Sequence, residues 1–295
     1  MSPRNVVLLV IGVIAVSFSA PLIRLADAPP LAVALYRNVF AAAVLVPLAL
    51  SRHRDELRSL APSDWSWLAL AGAFLALHFV TFIPSVTLTT VAASTVLVST
   101  SAVFAAAGGK VVFGDSARRS TIVGLVIALT GAVLISGGDL RASTRAFLGD
   151  LLALSGAVLV AGYFLTGRSL RRRLSLLVYA GIVYSVCAVI LAAAVLLSGT
   201  PLTGYEPKVW LLFGLMALGP QILGHTTSNF LLRDVSATVI AVAVMAEPVG
   251  ASVLALLLFS EAPSAVDVIG GFLVLAGIYL GIVGEARRPI EAPLE

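Results

Sequence analysis

Residues Val239–Glu261 read VIAVAVMAEPVGASVLALLLFSE. The stretch is as long as one bilayer-spanning helix, about 20 residues at a rise of about 1.5 Å each. Glu247 and Pro248 stand near its middle. A carboxylate at the bilayer centre costs about 2.5–3.5 kcal/mol on insertion scales. A proline there has no N–H to donate a hydrogen bond to the Val244 carbonyl. A lipid-facing helix would suit neither residue. The small side chains nearby, Ala243, Ala246, Gly250 and Ala251, let neighbouring backbones approach closely. The stretch therefore reads as a helix lining a polar space inside a membrane bundle.

The surrounding chain has the same texture. Of its 295 residues, 59% are hydrophobic and only 12% are charged, whereas soluble domains carry about 25% charge. This composition indicates an all-α, polytopic membrane protein. About ten apolar runs are long enough to span, near residues 5–25, 31–50, 65–84, 91–113, 121–137, 147–167, 176–198, 209–232, 237–259 and 266–284. Their connectors are short, so consecutive helices are antiparallel neighbours. The start, MSPRNVVLLVIGVIAVSFSA, imitates a signal peptide, but the later runs repeat its pattern and it is read as a retained first helix. The single cysteine, Cys187, lies in an apolar run, which excludes an intrachain disulfide.

The net charge of +4 does not point to nucleic acid, because the basic residues sit in short loops between apolar runs. One side collects Arg4, Arg52, Arg54, Arg58, Arg118, Arg119, Arg168, Arg171, Arg172, Arg173, Arg233, Arg287 and Arg288. The other has Arg24, Arg141, Arg145 and Lys208. This asymmetry predicts cytoplasmic N- and C-termini and an even number of spans.

The chain also repeats itself. Residues 99–135 align without gaps on 245–281, at the separation of Gly131 and Gly277. Phe113 then matches Phe259, Asp115 matches Glu261, and Gly124 matches Gly270. Each copy runs from an aromatic to an acid, through a short turn, into a glycine-punctuated helix. The punctuation is stronger evidence than apolar identity. We expect two five-helix units, residues 1–138 and 139–295. Five is odd, so the units insert in opposite directions, with a site near the midplane between them.

These features resemble the drug/metabolite transporter superfamily, EamA type, over nearly the whole chain. The resemblance is carried by Pro29-Pro30 with Tyr36-Arg37, by Glu247-Pro248-Val249, and by Phe259-Ser260-Glu261 with Gly270 and Gly277. The chain departs from the family pattern at Val16-Ser17, Ser101-Ala102 and Ala161. In style it resembles the YddG-like amino-acid exporters. The resemblance implies transport rather than catalysis, and export as its direction.

Several residues could carry the function. Glu247 could bind a substrate ammonium or a proton, or bond structurally to a neighbouring helix. Arg37 could receive a substrate carboxylate, meet backbone carbonyls, or snorkel. Gln221, His225 and Asn229 recur every four residues, on one face of an α-helix, after Pro220. His78 and His225 lie within one residue of the repeat separation, which suggests one shared cavity. Phe82 stands one turn beyond His78. Ser101 shares a helix with Ser94 and could contact substrate or only bridge helices. Tyr163 and Phe164 could form an aromatic wall or belong to the core. Gly277 and Gly281 read as close helix packing, within the monomer or at a dimer contact. Gly108-Gly109-Lys110 is not a phosphate loop, since the upstream glycine and following hydroxyl are absent.

The expected protein is thus a multi-pass inner-membrane exporter of small metabolites, most of all amino acids, including aromatic and apolar ones, working by alternating access. Its expected partners are the substrate and the bilayer. A proton is a candidate coupling ion, and both monomer and homodimer stay open. No cofactor and no metal are expected. The rivals are efflux of cationic drugs or quaternary amines and, from another class, a lipid flippase or intramembrane enzyme.

Overall fold

A computed structural model describes residues 3–113, 119–231, 233, 244 and 246–286. Asp115, Arg118, residues 237–243, Arg287 and Arg288 lie outside the described residues. Among the described residues the chain is helical, without strands. Among these residues seven helices are long and apolar enough to cross a membrane: Pro3–Ala26, Pro30–Arg52, Pro62–Leu88, Val91–Phe113, Thr144–Arg171, Leu176–Ser198 and Pro207–Leu231. Three apolar helices are shorter, Ile122–Ile135, Glu247–Phe259 and Ala265–Gly277. Leu197, Leu257, Phe272 and Val189 are among the large apolar side chains left exposed, as a bilayer-facing surface requires.

Proline and short polar side chains set the helix starts. Pro30, Pro62, Pro207 and Pro248 each fall in a first turn, where the missing N–H costs nothing. Asp64 reaches back to the Ala61 N–H at 3.0 Å, and Thr90 Oγ1 accepts from the Ala93 N–H at 3.0 Å. Ser264 and Asp267 cap each other reciprocally at 3.0 and 3.1 Å. Pro248 was expected to interrupt a helix running from 237 to 259. Val244 is helical, Ala246 lies in a turn and the next helix begins at Glu247, so the helix breaks just before Pro248, which falls in the new first turn.

The main helix pairs are Pro62–Leu88 with Thr144–Arg171, Pro30–Arg52 with Leu176–Ser198, and Arg119–Ala142 with Ala265–Ala286. The last pair crosses closely on glycine. A Cβ at Gly277 would lie 2.5 Å from the Gly124 carbonyl oxygen, and one at Gly131 would lie 2.5 Å from that of Gly270. Gly131 and Gly277 therefore serve close packing within the monomer. The two contacts are reciprocal at the repeat separation seen in the sequence.

Polar ties hold both ends. At one end Arg173 pairs with Asp64, and the Ser175 N–H donates to Glu56 at 2.6 Å. At the other end Arg24 pairs with Glu261 and donates to the Val86 and Thr89 carbonyls at 2.5 and 2.7 Å. Glu261 also accepts from the Val91 N–H at 2.7 Å.

Candidate functional site

A cavity lies between the helices and opens outward. Helix Pro62–Leu88 supplies His78, Phe79 and Phe82, and the first span supplies Val16 and Ser19. Val98, Ser99 and Ser101 come from the fourth span, Val160 and Phe164 from helix Thr144–Arg171. His225, Ser228, Val244 and Glu247 complete the wall.

Five expected residues line this space: His78, Phe82, Ser101, His225 and Glu247. The other four, Arg37, Tyr163, Gln221 and Asn229, are fully buried outside the lining. Arg37 Nε donates to Gln221 Oε1 at 3.0 Å, and Nη1 donates to Ser19 Oγ at 3.3 Å. Gln221 Nε2 in turn donates to Asn38 Oδ1 at 3.3 Å. Asn229 Nδ2 donates to the Tyr163 hydroxyl at 2.5 Å.

The expected stripe on the eighth span divides for a physical reason. Residues Ala217–Thr226 form a π-helix, with Pro220 inside it. Bonds there run from i to i+5, so each residue turns through a smaller angle than in an α-helix. Positions four apart no longer stack as α-helical geometry dictates. Gln221 turns toward Arg37, His225 toward the cavity, and Asn229 toward Tyr163.

The lining side chains are oriented by their partners. The ring Nδ1–H of neutral His78 donates to the Gly156 carbonyl at 2.9 Å, which leaves Nε2 as an acceptor. The ring stacks on Phe82, with centroids 5.4 Å apart and planes at 7°. His225 meets Phe79 edge to face, with centroids 6.0 Å apart. The Arg37 guanidinium lies over the Phe79 ring, 4.3 Å from its centroid. The Glu247 carboxylate makes no hydrogen bond or ion pair with a described residue. It stands in the first turn of its helix, where the macrodipole favours negative charge.

Ser19, Phe79 and Ser228 were not foreseen as lining residues. Ser19 and Ser228 follow no polar stripe, and Phe79 is indistinguishable from core by type. The one available signal was that Phe79 adjoins His78.

The lining sets a carboxylate, two imidazoles and hydroxyls beside apolar and aromatic surface. Among the described residues no group of three His, Cys, Asp or Glu could hold a metal. The EamA-like transporter family model matches residues 4–137 and again 147–283. An uncharacterized transporter of Archaeoglobus fulgidus is 27% identical over 265 residues, covering 88% of this chain and 89% of that protein. A solved crystal structure superposes with a TM-score of 0.70 at 20% identity, covering 97% of this chain and 99% of the other, which shows a shared fold. With a cavity for a small molecule and a family model matched twice along its length, the chain is a membrane transport protein rather than an enzyme, and it belongs to the EamA-like transporter family.

Proposed function

We propose that this transporter exports small zwitterionic metabolites, amino acids with apolar or aromatic side chains above all, across the cell inner membrane. The observation that carries this reading is the Glu247 carboxylate, which faces the cavity without a hydrogen-bonding partner among the described residues. A ligand ammonium would provide that partner. His78 Nε2 and His225 would supply polar contacts, and Phe82 and Phe164 the apolar wall. Ten spans in two inverted units, 1–138 and 139–295, would rock against each other and expose the site to each side in turn. The reciprocal contacts of Gly131 with Gly270 and of Gly277 with Gly124 support this two-unit arrangement. So does the double family match. The arginine-rich loops favour cytoplasmic termini. Proton coupling through Glu247 and a facilitated carrier both fit this arrangement.

A second reading, efflux of organic cations, is favoured by one observation. Phe79, Phe82 and Phe164 share the cavity wall with Glu247, and aromatic faces attract cations.

The test is uptake of labelled amino acids into proteoliposomes, with and without a pH gradient. Flux of at least one apolar or aromatic amino acid is expected, and Glu247→Gln should abolish or uncouple it. Absence of flux for every amino acid sinks the export reading. Normal transport by Glu247→Gln would reduce the acid to a structural role.

A further inference from the structure

Resting on the export reading, we propose that Arg37 and Ser19 make this cavity select zwitterions over organic cations, with the Ser19 hydroxyl donating to the ligand carboxylate. Arg37 is wholly buried, and its guanidinium is immobilised by Gln221, Ser19 and the Phe79 ring. Its Nη2 has no hydrogen-bond partner. No described acid forms an ion pair with it, although it lies within the electrostatic reach of Glu247. A guanidinium this poorly compensated projects its charge into the nearest polar space.

That space is the cavity, because Ser19 and Phe79 both touch Arg37 and both belong to the wall. Ser19 Oγ accepts from Arg37, which leaves the hydroxyl proton to donate. A hydroxyl polarised by a cation is a strengthened donor, and a carboxylate is its best acceptor. Phe79 is affected in the opposite sense. One of its faces already holds the guanidinium, so its quadrupole is engaged before any ligand arrives. The aromatic wall is thereby weakened as an organic-cation site.

Glu247 lines the same cavity and is an acid. A ligand bearing both charges satisfies both groups. A monocation leaves Arg37 uncompensated, and a monoanion does the same to Glu247. Arg37 is thus a positioning residue that acts through Ser19.

The experiment measures binding to the purified full chain in detergent. The probes are labelled phenylalanine, phenethylamine, which lacks the carboxylate, and 3-phenylpropionate, which lacks the ammonium. The natural chain should bind phenylalanine at least about tenfold more tightly than either one-charge analogue, the scale of a hydrogen bond to a charged group. Ser19→Ala should weaken phenylalanine about tenfold and leave phenethylamine unchanged. Arg37→Gln should take phenethylamine at least as tightly as phenylalanine. If Arg37→Gln is not monodisperse on gel filtration, Ser19→Ala decides alone. An unchanged phenylalanine-to-phenethylamine ratio in the folded variants overturns the proposal and leaves amino-acid export standing. A natural chain that prefers phenethylamine overturns it in favour of cation efflux. Failure to bind phenylalanine, together with absent flux for every amino acid, overturns both the proposal and the export reading.

Discussion

Replacing Gly277 by alanine tests how the last helix is held. The added Cβ would lie 2.4 Å from the Ala128 amide nitrogen, 2.5 Å from the Gly124 carbonyl oxygen and 3.0 Å from the Ala128 Cα. All three are backbone atoms of the facing helix, so no side chain can swing aside. Comfortable contact needs roughly 3.5 Å, and the helices Arg119–Ala142 and Ala265–Ala286 must therefore part by about 1 Å. Overpacking of this kind costs about 1–3 kcal/mol, and a rigid backbone clash belongs in the upper half of that range. Alanine returns up to about 1 kcal/mol through its better helix propensity. The net loss is about 1–2 kcal/mol, close to a tenfold shift in the folding equilibrium. Gly214→Ala is the control, because a Cβ there meets nothing within 4 Å. The assay is thermal unfolding in one detergent, read by maleimide labelling of Cys187, which is the single cysteine and is buried. Gly277→Ala should unfold several degrees below both the natural chain and Gly214→Ala. An unfolding temperature equal to the control's would refute the close crossing.

Three further outcomes follow from other parts of the fold. Gly131→Ala meets the Gly270 carbonyl oxygen at 2.5 Å and should cost about as much as Gly277→Ala; a difference of several degrees between the two would argue against equivalent contacts. Arg24→Ala removes the pair with Glu261 and the bonds to the Val86 and Thr89 carbonyls, so amide exchange around residues 86–91 should rise; unchanged exchange would mean that the tie does not hold this end together. Gly156→Ala places a methyl 3.1 Å from Thr81 Oγ1 and 3.4 Å from Phe82 Cβ, so it presses on the stretch of helix that carries His78 and Phe82. Affinity for bound phenylalanine should therefore fall more than thermal stability does, and equal affinity would exclude His78 from the contact surface.

Much of the architecture could be read from the chain because lipid imposes one strict demand. Every backbone polar group crossing a bilayer must be satisfied locally, so runs of about 20 apolar residues have few alternatives to helix. The same demand makes Glu247, His78 and His225 conspicuous, since each is costly in lipid and turns to the cavity. The glycine register was visible too, as the matching of Gly131 with Gly277.

Helix rotation was not visible. Gln221, His225 and Asn229 look equivalent at α-helical spacing, and only the π-helix around Pro220 turns one to the cavity and two to buried partners. Arg37 offered a carboxylate site by type alone, and the fold set it one layer back, behind Ser19 and Phe79. The chain by itself determined that polar groups must turn inward, because water-to-lipid transfer depends on residue type and run length. Which of them share a cavity, and which close on one another, was decided by helix rotation and crossing distance, which depend on contacts between residues far apart in sequence.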